Sequence, residues 1–289
     1  MTQEGYVDVP GGSVWYRLVG SDGATPLVTL HGGPGAGHDY LEPLEALASD
    51  RPVVFYDQLG CGKSDIPDDA SLWQIDRFVE EVTTVRRALD LERVHLFGQS
   101  WGGWLAIEYM LTRPPGVTSL ILASTSASLP QFAHEVSRLT AELPPDTRDA
   151  LERCKASGDW ESPECRAAEF AFLQRHLCRL NPWPQPLLRT GLNILKSPAY
   201  NIMQGPEVFP VTGNLKDWDR TNRLSEINVP TLITVGRYDE VTPACAETLH
   251  GGISGSELVL FEESSHMAHL EETGRYLQVL RDFLHQVES

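Results

Sequence analysis

Five residues, Gly98-Gln99-Ser100-Trp101-Gly102, constrain the fold of this chain more than any other segment. The apolar run at 94–97 comes directly before them and predicts a buried strand, and residues 101–112 predict a helix. A serine in G-x-S-x-G at such a junction lies on a strained strand-to-helix turn, where a Cβ on either glycine would clash. The segment therefore predicts a nucleophilic Ser100 at the end of a buried strand.

The remaining chain alternates short apolar runs with amphipathic helical stretches, the pattern of parallel strands joined by crossover helices. A hairpin joined by Pro10-Gly11-Gly12 precedes this pattern, and an amphipathic helix at 273–287 closes the chain. The fold class is therefore α/β, with a mostly parallel central sheet flanked by helices. The runs that predict strands are 6–9, 13–19, 27–30, 53–56, 94–97, 120–123, 231–235 and 258–261.

Residues 126–205 interrupt the strand–helix pattern. Helix-like stretches at 131–143, 146–157 and 163–180 alternate with prolines, and no strand pair is evident among them. We predict one core made of residues 1–125 and 206–289, with residues 126–205 inserted as a helical cap.

A serine hydroxyl becomes an effective nucleophile when a neighbouring base takes its proton. With this serine motif the acid and the histidine follow in that chain order, each in a loop after a late strand. Asp239 follows the strand predicted at 231–235, and His266 follows the strand predicted at 258–261. His269 is the closest alternative base, and a zinc site made by His266 and His269 lacks an evident third ligand.

The oxyanion that forms during acyl transfer needs two backbone N–H donors. One is expected from Trp101, the residue after the nucleophile, and the other from the loop at 31–35. Gly33 is the candidate in that loop, because glycine lets the backbone approach the substrate and Pro34 has no N–H.

The net charge of −17 opposes binding to nucleic acid or to an anionic membrane. No basic stretch followed by an apolar run begins the chain, so we predict a cytoplasmic protein. The five cysteines fit no metal-binding spacing, so we expect free thiols, no metal and no cofactor. They are Cys61, Cys154, Cys165, Cys178 and Cys245.

Four motifs together resemble the proline iminopeptidases over nearly the whole chain. They are HGGPG at 31–35, DQLGCGKS at 57–64, GQSWGG at 98–103 and GRYDEVTP at 236–243. Residues 200–261 are most similar to the tricorn-interacting aminopeptidase branch of that family. The resemblance implies an α/β-hydrolase fold with a helical cap, and release of an N-terminal residue, often proline, from short peptides, amides or arylamides. It also implies a catalytic triad of Ser100, Asp239 and His266, with Gly33 and Trp101 as oxyanion donors.

An enzyme that removes N-terminal residues needs a group that recognises a free α-ammonium, and a carboxylate suits this purpose. The resemblance implies Glu240, which directly follows Asp239, as one such group. The family supplies a second glutamate within N-G-P-x-E-F, whereas this chain has Gln204-Gly205-Pro206-Glu207-Val208-Phe209. Glu207 is displaced by one position and is the second candidate.

The leading hypothesis is an aminopeptidase-like amide hydrolase that acts on a small peptide or amide. An amino-acid amidase, esterase or lactonase is the alternative, because this fold supports many substrates. A binding protein of the same fold without hydrolytic activity is a third possibility. The oligomeric state is left open by the sequence.

Overall fold

The computed structural model describes residues 2–20, 23–205 and 211–289, and a single eight-stranded sheet forms its centre. The strands are β1 (Thr2–Val9), β2 (Gly12–Val19), β3 (Leu27–Leu30), β4 (Val53–Tyr56), β5 (Val94–Gln99), β6 (Val117–Ala123), β7 (Thr231–Gly236) and β8 (Glu257–Phe261). Their order across the sheet is β1-β2-β4-β3-β5-β6-β7-β8. β2 pairs antiparallel with β1 and β4, and all other pairings are parallel. The predicted fold class is confirmed.

Helices follow the strands as the crossover pattern requires. They are α1 (Ile75–Ala88), α2 (Trp101–Leu111), α3 (Leu129–Ala141), α4 (Pro145–Ser157), α5 (Pro163–His176), α6 (Gln185–Lys196), α7 (Pro243–Gly252), α8 (Ala268–Glu271) and α9 (Thr273–Glu288). Shorter 3₁₀ segments are Asp39–Ser49, Ala70–Leu72 and Thr221–Glu226, and Tyr200–Gln204 is a π-helical turn. None of the described helices is long and apolar enough to span a bilayer.

The two faces of the sheet bury two separate hydrophobic cores, because successive side chains of a strand point to opposite sides. Val28 and Val54 belong to the core that α1, α2 and α7 cover. Leu27 and Val53 belong to the core that α9 and the 3₁₀ segment Asp39–Ser49 cover. The parallel strands are therefore buried on both faces, as their continuous apolar runs require.

Between β6 and β7 the described chain is helical, and α3 to α6 lie there without a strand among them. α6 was not predicted, because the prolines near residue 184 were interpreted as a break. Pro186 lies in the first turn of α6, where a missing N–H removes no helical hydrogen bond. The division into core and cap stays a prediction.

The expectation that all the cysteines are free is wrong. Cys154 of α4 and Cys165 of α5 form a disulfide with their Cα atoms 5.8 Å apart. The sequence did not indicate this pair because the spacing matches no known motif, and only the packing of α4 against α5 brings the two residues together. Cys61, Cys178 and Cys245 are buried free thiols.

Candidate active site

Ser100 lies on a tight turn between β5 and α2. Its backbone has φ 55° and ψ −122°, a conformation that residues other than glycine rarely adopt. A Cβ on Gly98 would collide with the carbonyl of Gly102, and a Cβ on Gly102 would collide with the carbonyl of Leu30. The close approach of the turn to neighbouring backbone explains why glycine is needed at both positions.

Asp239 and His266 follow β7 and β8, two neighbouring strands of the sheet. His266 Nδ1 donates to Asp239 Oδ1 at 2.7 Å, and the Val241 amide donates to the same oxygen at 2.8 Å. Both side chains are buried. This arrangement orients the imidazole so that its Nε2 is the nitrogen left to exchange a proton.

The nucleophile turn and the histidine loop are directly linked. Gln99, which precedes Ser100, donates its side-chain amide to the His266 carbonyl at 3.3 Å. The predicted nucleophile and the predicted base therefore belong to segments in hydrogen-bond contact, although they lie far apart in the chain.

The ionisation of His266 depends on its acidic neighbours. Burial alone would lower the pKa of His266, but the negative charge and hydrogen bond of Asp239, with a further contribution from Glu240, raise it to about 9. A general base has to be neutral to accept a proton. Any change in the charge around His266 will therefore change the fraction that is able to act as a base.

His269, the alternative base, is engaged elsewhere. Its Nε2 donates to the Tyr40 carbonyl at 3.1 Å, and the ring is buried beside the Tyr40 ring. Burial lowers the pKa of His269 to about 3. His266, which donates a hydrogen bond to Asp239, is therefore the candidate base.

Trp101 directly follows Ser100, and Gly33 lies in a loop that approaches it; the role of both as oxyanion donors stays a prediction. Trp101 is the first residue of α2, where the backbone N–H has no acceptor within the helix. Gly33 has φ 109°, which favours glycine, and lies in the loop after β3. A Cβ built on the adjacent Gly32 would lie 3.2 Å from Ser100 Cβ, so this loop packs against the nucleophile.

Gln58 forms hydrogen bonds to both segments that carry the predicted oxyanion donors. Its Oε1 accepts from the Trp101 indole at 2.7 Å, and its Nε2 donates to the His31 carbonyl at 3.0 Å. Gln58 belongs to the DQLGCGKS motif, but no sequence pattern predicts these two hydrogen bonds.

Glu240 is a buried carboxylate beside the candidate base. The residue is only 9% exposed, its Oε1 lies 3.9 Å from His266 Nε2, and its buried Oε2 has no hydrogen-bond partner among the described residues. Burial raises the pKa of Glu240 to about 7. A buried carboxylate oxygen without a donor is unfavourable, and a cationic group would satisfy it.

Glu207, the second predicted amine-binding residue, lies outside the described residues, and its role stays a prediction. The described parts of the chain contain no cluster of three or more His, Cys, Asp or Glu side chains that could hold a metal ion.

His176, at the end of α5, was missed as a contributor to the site. Its carbonyl accepts from the amides of Glu240 and His266, both at 3.2 Å, and its Nδ1 donates to the Tyr238 carbonyl at 2.8 Å. No sequence pattern signalled this role, because a histidine at a helix end has many structural uses. One residue of the helical segment thus supports both the acid loop and the histidine loop.

Comparison with known proteins identifies the family. Residues 25–273 match the model of the α/β hydrolase fold. A proline iminopeptidase of Heyndrickxia coagulans is 44% identical over 99% of this chain and 100% of its own length. The chain belongs to the proline iminopeptidase family. It is a serine hydrolase, as predicted.

Three further proteins are similar to this chain over nearly its whole length. The proline iminopeptidase of Saccharolobus solfataricus is 44% identical over 99% of this chain and 94% of its own length. The crystal structure of a proline iminopeptidase from Mycobacterium smegmatis superposes with a TM-score of 0.93 at 35% identity, covering 99% of this chain and 98% of that one. The crystal structure of VinJ superposes with a TM-score of 0.95 at 37% identity, covering 99% of both chains.

Proposed function

We propose that this member of the proline iminopeptidase family releases an N-terminal residue, proline or another small or apolar residue, from short peptides and amides. The groups proposed to carry the reaction are Ser100 as nucleophile, His266 as general base, Asp239 as its orienting acid, Trp101 and Gly33 as oxyanion donors, and Glu240 as the partner of the substrate ammonium. Glu207 stays a predicted second partner of that ammonium.

The observation that carries the proposal is a carboxylate oxygen of Glu240, beside the candidate base, that has no hydrogen-bond partner in the described part of the chain. In an amino acid the α-nitrogen and the carbonyl carbon are about 2.5 Å apart, given standard bond lengths and angles. An ammonium held at Glu240 therefore keeps the first carbonyl of the substrate close to His266 and the nucleophile turn. An acylated amine carries no positive charge, and its acyl group needs space at Glu240. This geometry favours cleavage after the first residue of a substrate with a free amine.

The chemistry then follows from the proposed roles. His266 takes the proton of the Ser100 hydroxyl as the oxygen attacks the carbonyl, and the N–H groups of Trp101 and Gly33 stabilise the oxyanion. The intermediate collapses when His266 returns the proton to the leaving amine. Water, activated by the same histidine, then hydrolyses the acyl-enzyme and releases the N-terminal amino acid.

We also propose that residues 126–205 form a cap over Ser100 that controls access. Two contacts support this: the His176 carbonyl accepts from both catalytic loops, and Ser197 packs so closely on Gly35 that a Cβ there would clash. A cap held by contacts of this kind can open and close around a substrate.

The predicted partners are small peptides or amides, with neither nucleic acid nor membrane, and the predicted location is the cytoplasm. The net charge of −17 supports the exclusion of polyanionic partners. Cell fractionation with a soluble cytoplasmic marker tests the location.

A panel of arylamides tests the proposed function. Prolyl, alanyl and leucyl arylamides would be assayed with a free and with an acetylated α-amine, alongside the matching esters. We expect kcat/KM for the free prolyl amide to exceed that of its acetylated form by at least about 30-fold, the lower limit for loss of a desolvated charge pair. A preference for acetylated substrates would instead support the amidase or esterase alternative. Labelling of Ser100 by a fluorophosphonate separates an enzyme from a binding protein.

A further inference from the structure

Two buried side chains, those of Tyr40 and Gln99, connect the loops that surround Ser100. The Gly32 amide donates to the Tyr40 hydroxyl at 2.7 Å, and that hydroxyl donates to Gln99 Oε1 at 2.6 Å. The other end of the Gln99 amide donates to the His266 carbonyl at 3.3 Å. Tyr40 and Gln99 are each 1% exposed, so water is not available to replace either bond.

Each end of this chain of hydrogen bonds lies at or next to a group proposed to react. Gly32 precedes Gly33, the candidate oxyanion donor, and Gln99 precedes Ser100. The carbonyl at the far end belongs to His266 itself. This series of hydrogen bonds therefore extends from the loop that carries Gly33, through the residue before Ser100, to His266.

The backbone of Tyr40 also forms a hydrogen bond. His269 Nε2 donates to the Tyr40 carbonyl at 3.1 Å, and the two rings are 5.4 Å apart. Burial lowers the pKa of His269 to about 3, so the ring is neutral in the ordinary pH range, and the bond to the Tyr40 carbonyl requires the tautomer with its proton on Nε2. Tyr40 thus also contacts α8, three residues beyond His266.

We propose that Tyr40 and Gln99 are positioning residues that hold the oxyanion donors and the base at a defined separation around Ser100. This inference rests on the proposed catalytic roles of Ser100, His266 and Gly33. Oxyanion donors accelerate the reaction only when they are already aimed at the site where charge develops. A displacement of about 1 Å in such a site can reduce the rate by roughly 100-fold.

Tyr40→Phe and Gln99→Met test the inference, because both variants keep the shape of the side chain and remove its hydrogen bonds. Tyr276→Phe is the matched control: Tyr276 is also buried and lies beside the His269 ring, but its hydroxyl pairs with the Thr234 hydroxyl at 3.0 Å and takes no part in the bonds from Gly32 to His266. The measurements are kcat and KM on a prolyl arylamide, the inhibition constant of a prolyl boronate that forms a tetrahedral adduct, and the melting temperature.

We expect Tyr40→Phe to lower kcat by about 10- to 100-fold with KM changed by less than about twofold, because the contacts act on the transition state. The boronate should lose affinity by a similar factor. Gln99→Met should behave alike, and the double variant should lose little more than the worse single variant, since both residues belong to one chain of bonds. Tyr276→Phe should lower the melting temperature and leave kcat unchanged.

The inference is overturned by a Tyr40→Phe enzyme with kcat within about twofold of wild type, since a positioning role predicts a larger loss. It is equally overturned if Tyr276→Phe shows the same loss of kcat, or if the losses of the two single variants multiply in the double variant. If Tyr40→Phe fails to fold, Gln99→Met alone decides, by the same criterion on kcat.

Fluorophosphonate labelling of the wild-type enzyme distinguishes failure of the positioning role from failure of the proposed active site. A labelled Ser100 with unaffected variants removes only the positioning role, whereas labelling elsewhere removes the proposed site and this inference together.

Discussion

Replacing Glu240 by glutamine removes a buried negative charge 3.9 Å from His266 Nε2 and keeps the side-chain size. Two unit charges at that separation interact by about 4 kcal/mol at an effective dielectric constant of about 20. Glu240, with a pKa of about 7, is ionised near pH 9, where His266 titrates. The value is an upper limit because 3.9 Å is the shortest distance between the two groups, and both charges are spread over further atoms. We therefore expect the pKa of His266 to fall by at least about one unit, which is about 1.4 kcal/mol.

The sign of the effect follows from the requirement for a neutral base. The pKa of His266, about 9 in the free protein, sets the pH above which the unprotonated ring predominates. Loss of the nearby carboxylate removes an interaction that favours the protonated ring. The acidic limb of the kcat/KM profile should therefore move to lower pH in Glu240→Gln.

The same substitution should discriminate between substrates. A substrate ammonium loses its partner, and loss of one member of a desolvated charge pair costs roughly 2–5 kcal/mol. We expect kcat/KM for a free prolyl arylamide to fall by at least about tenfold, less than the roughly 30-fold at the lower end of that range, because glutamine keeps an oxygen that can accept from the ammonium. The acetylated arylamide has no cation. Its kcat/KM should be nearly unaffected at a pH above the acidic limbs of both the wild-type and the Glu240→Gln profiles.

The assay is kcat/KM against pH for both arylamides with wild type, Glu240→Gln and Glu262→Gln. Glu262 is a suitable control because it lies just after β8, is exposed and pairs with Arg237 away from the site. Equal losses of kcat/KM on both substrates would mean that Glu240 stabilises its loop and does not bind the substrate ammonium. An acidic limb that stays in place or moves to higher pH would refute the electrostatic argument.

Three further predictions concern the nucleophile, the disulfide and the helical segment. Ser100→Ala should lower kcat on the order of 10⁶-fold with an unchanged circular dichroism spectrum, and more than a few per cent of wild-type activity in pure protein would contradict the assignment. Replacing Cys154 and Cys165 together by alanine should reduce the free energy of unfolding by about 2–3 kcal/mol, given the short loop that the bond closes, and should leave kcat unchanged. Thermal unfolding with and without a reductant provides the comparison. His176→Ala should reduce kcat by about tenfold through displacement of the acid loop. His176→Asn can present a donor near the position of Nδ1 and should restore most of the activity; equal kcat values for these two variants would show that the bond to the Tyr238 carbonyl has no role.

Glu240 shows where sequence reasoning reached its limit at this site. Its place directly after Asp239 made it a candidate for amine binding, but sequence position does not distinguish a solvated loop charge from a buried one. The structure shows a buried Glu240 oxygen that no described residue contacts through a hydrogen bond, on a side chain next to His266. That property depends on how α5 and the histidine loop enclose the residue, since the Glu240 amide donates to the His176 carbonyl.

The sequence by itself determined the features that arise from neighbouring residues. Continuous apolar runs specify strands buried on both faces, and the glycines around Ser100 specify a turn that bulkier residues could not form. The chain order of the serine, the aspartate and the histidine follows from the order of the strands that carry them.

Only the tertiary structure decided which distant groups meet. Tyr40 and Gln99 are 59 positions apart, and His176 and His266, which are also distant in the chain, meet through a backbone hydrogen bond. The Cys154–Cys165 disulfide and the engagement of His269 by Tyr40 are of the same kind. Contacts of this type carry no local signal, because each partner satisfies its own steric and hydrophobic requirements without the other. Their geometry exists only once the sheet has ordered its loops and the helices have packed against them.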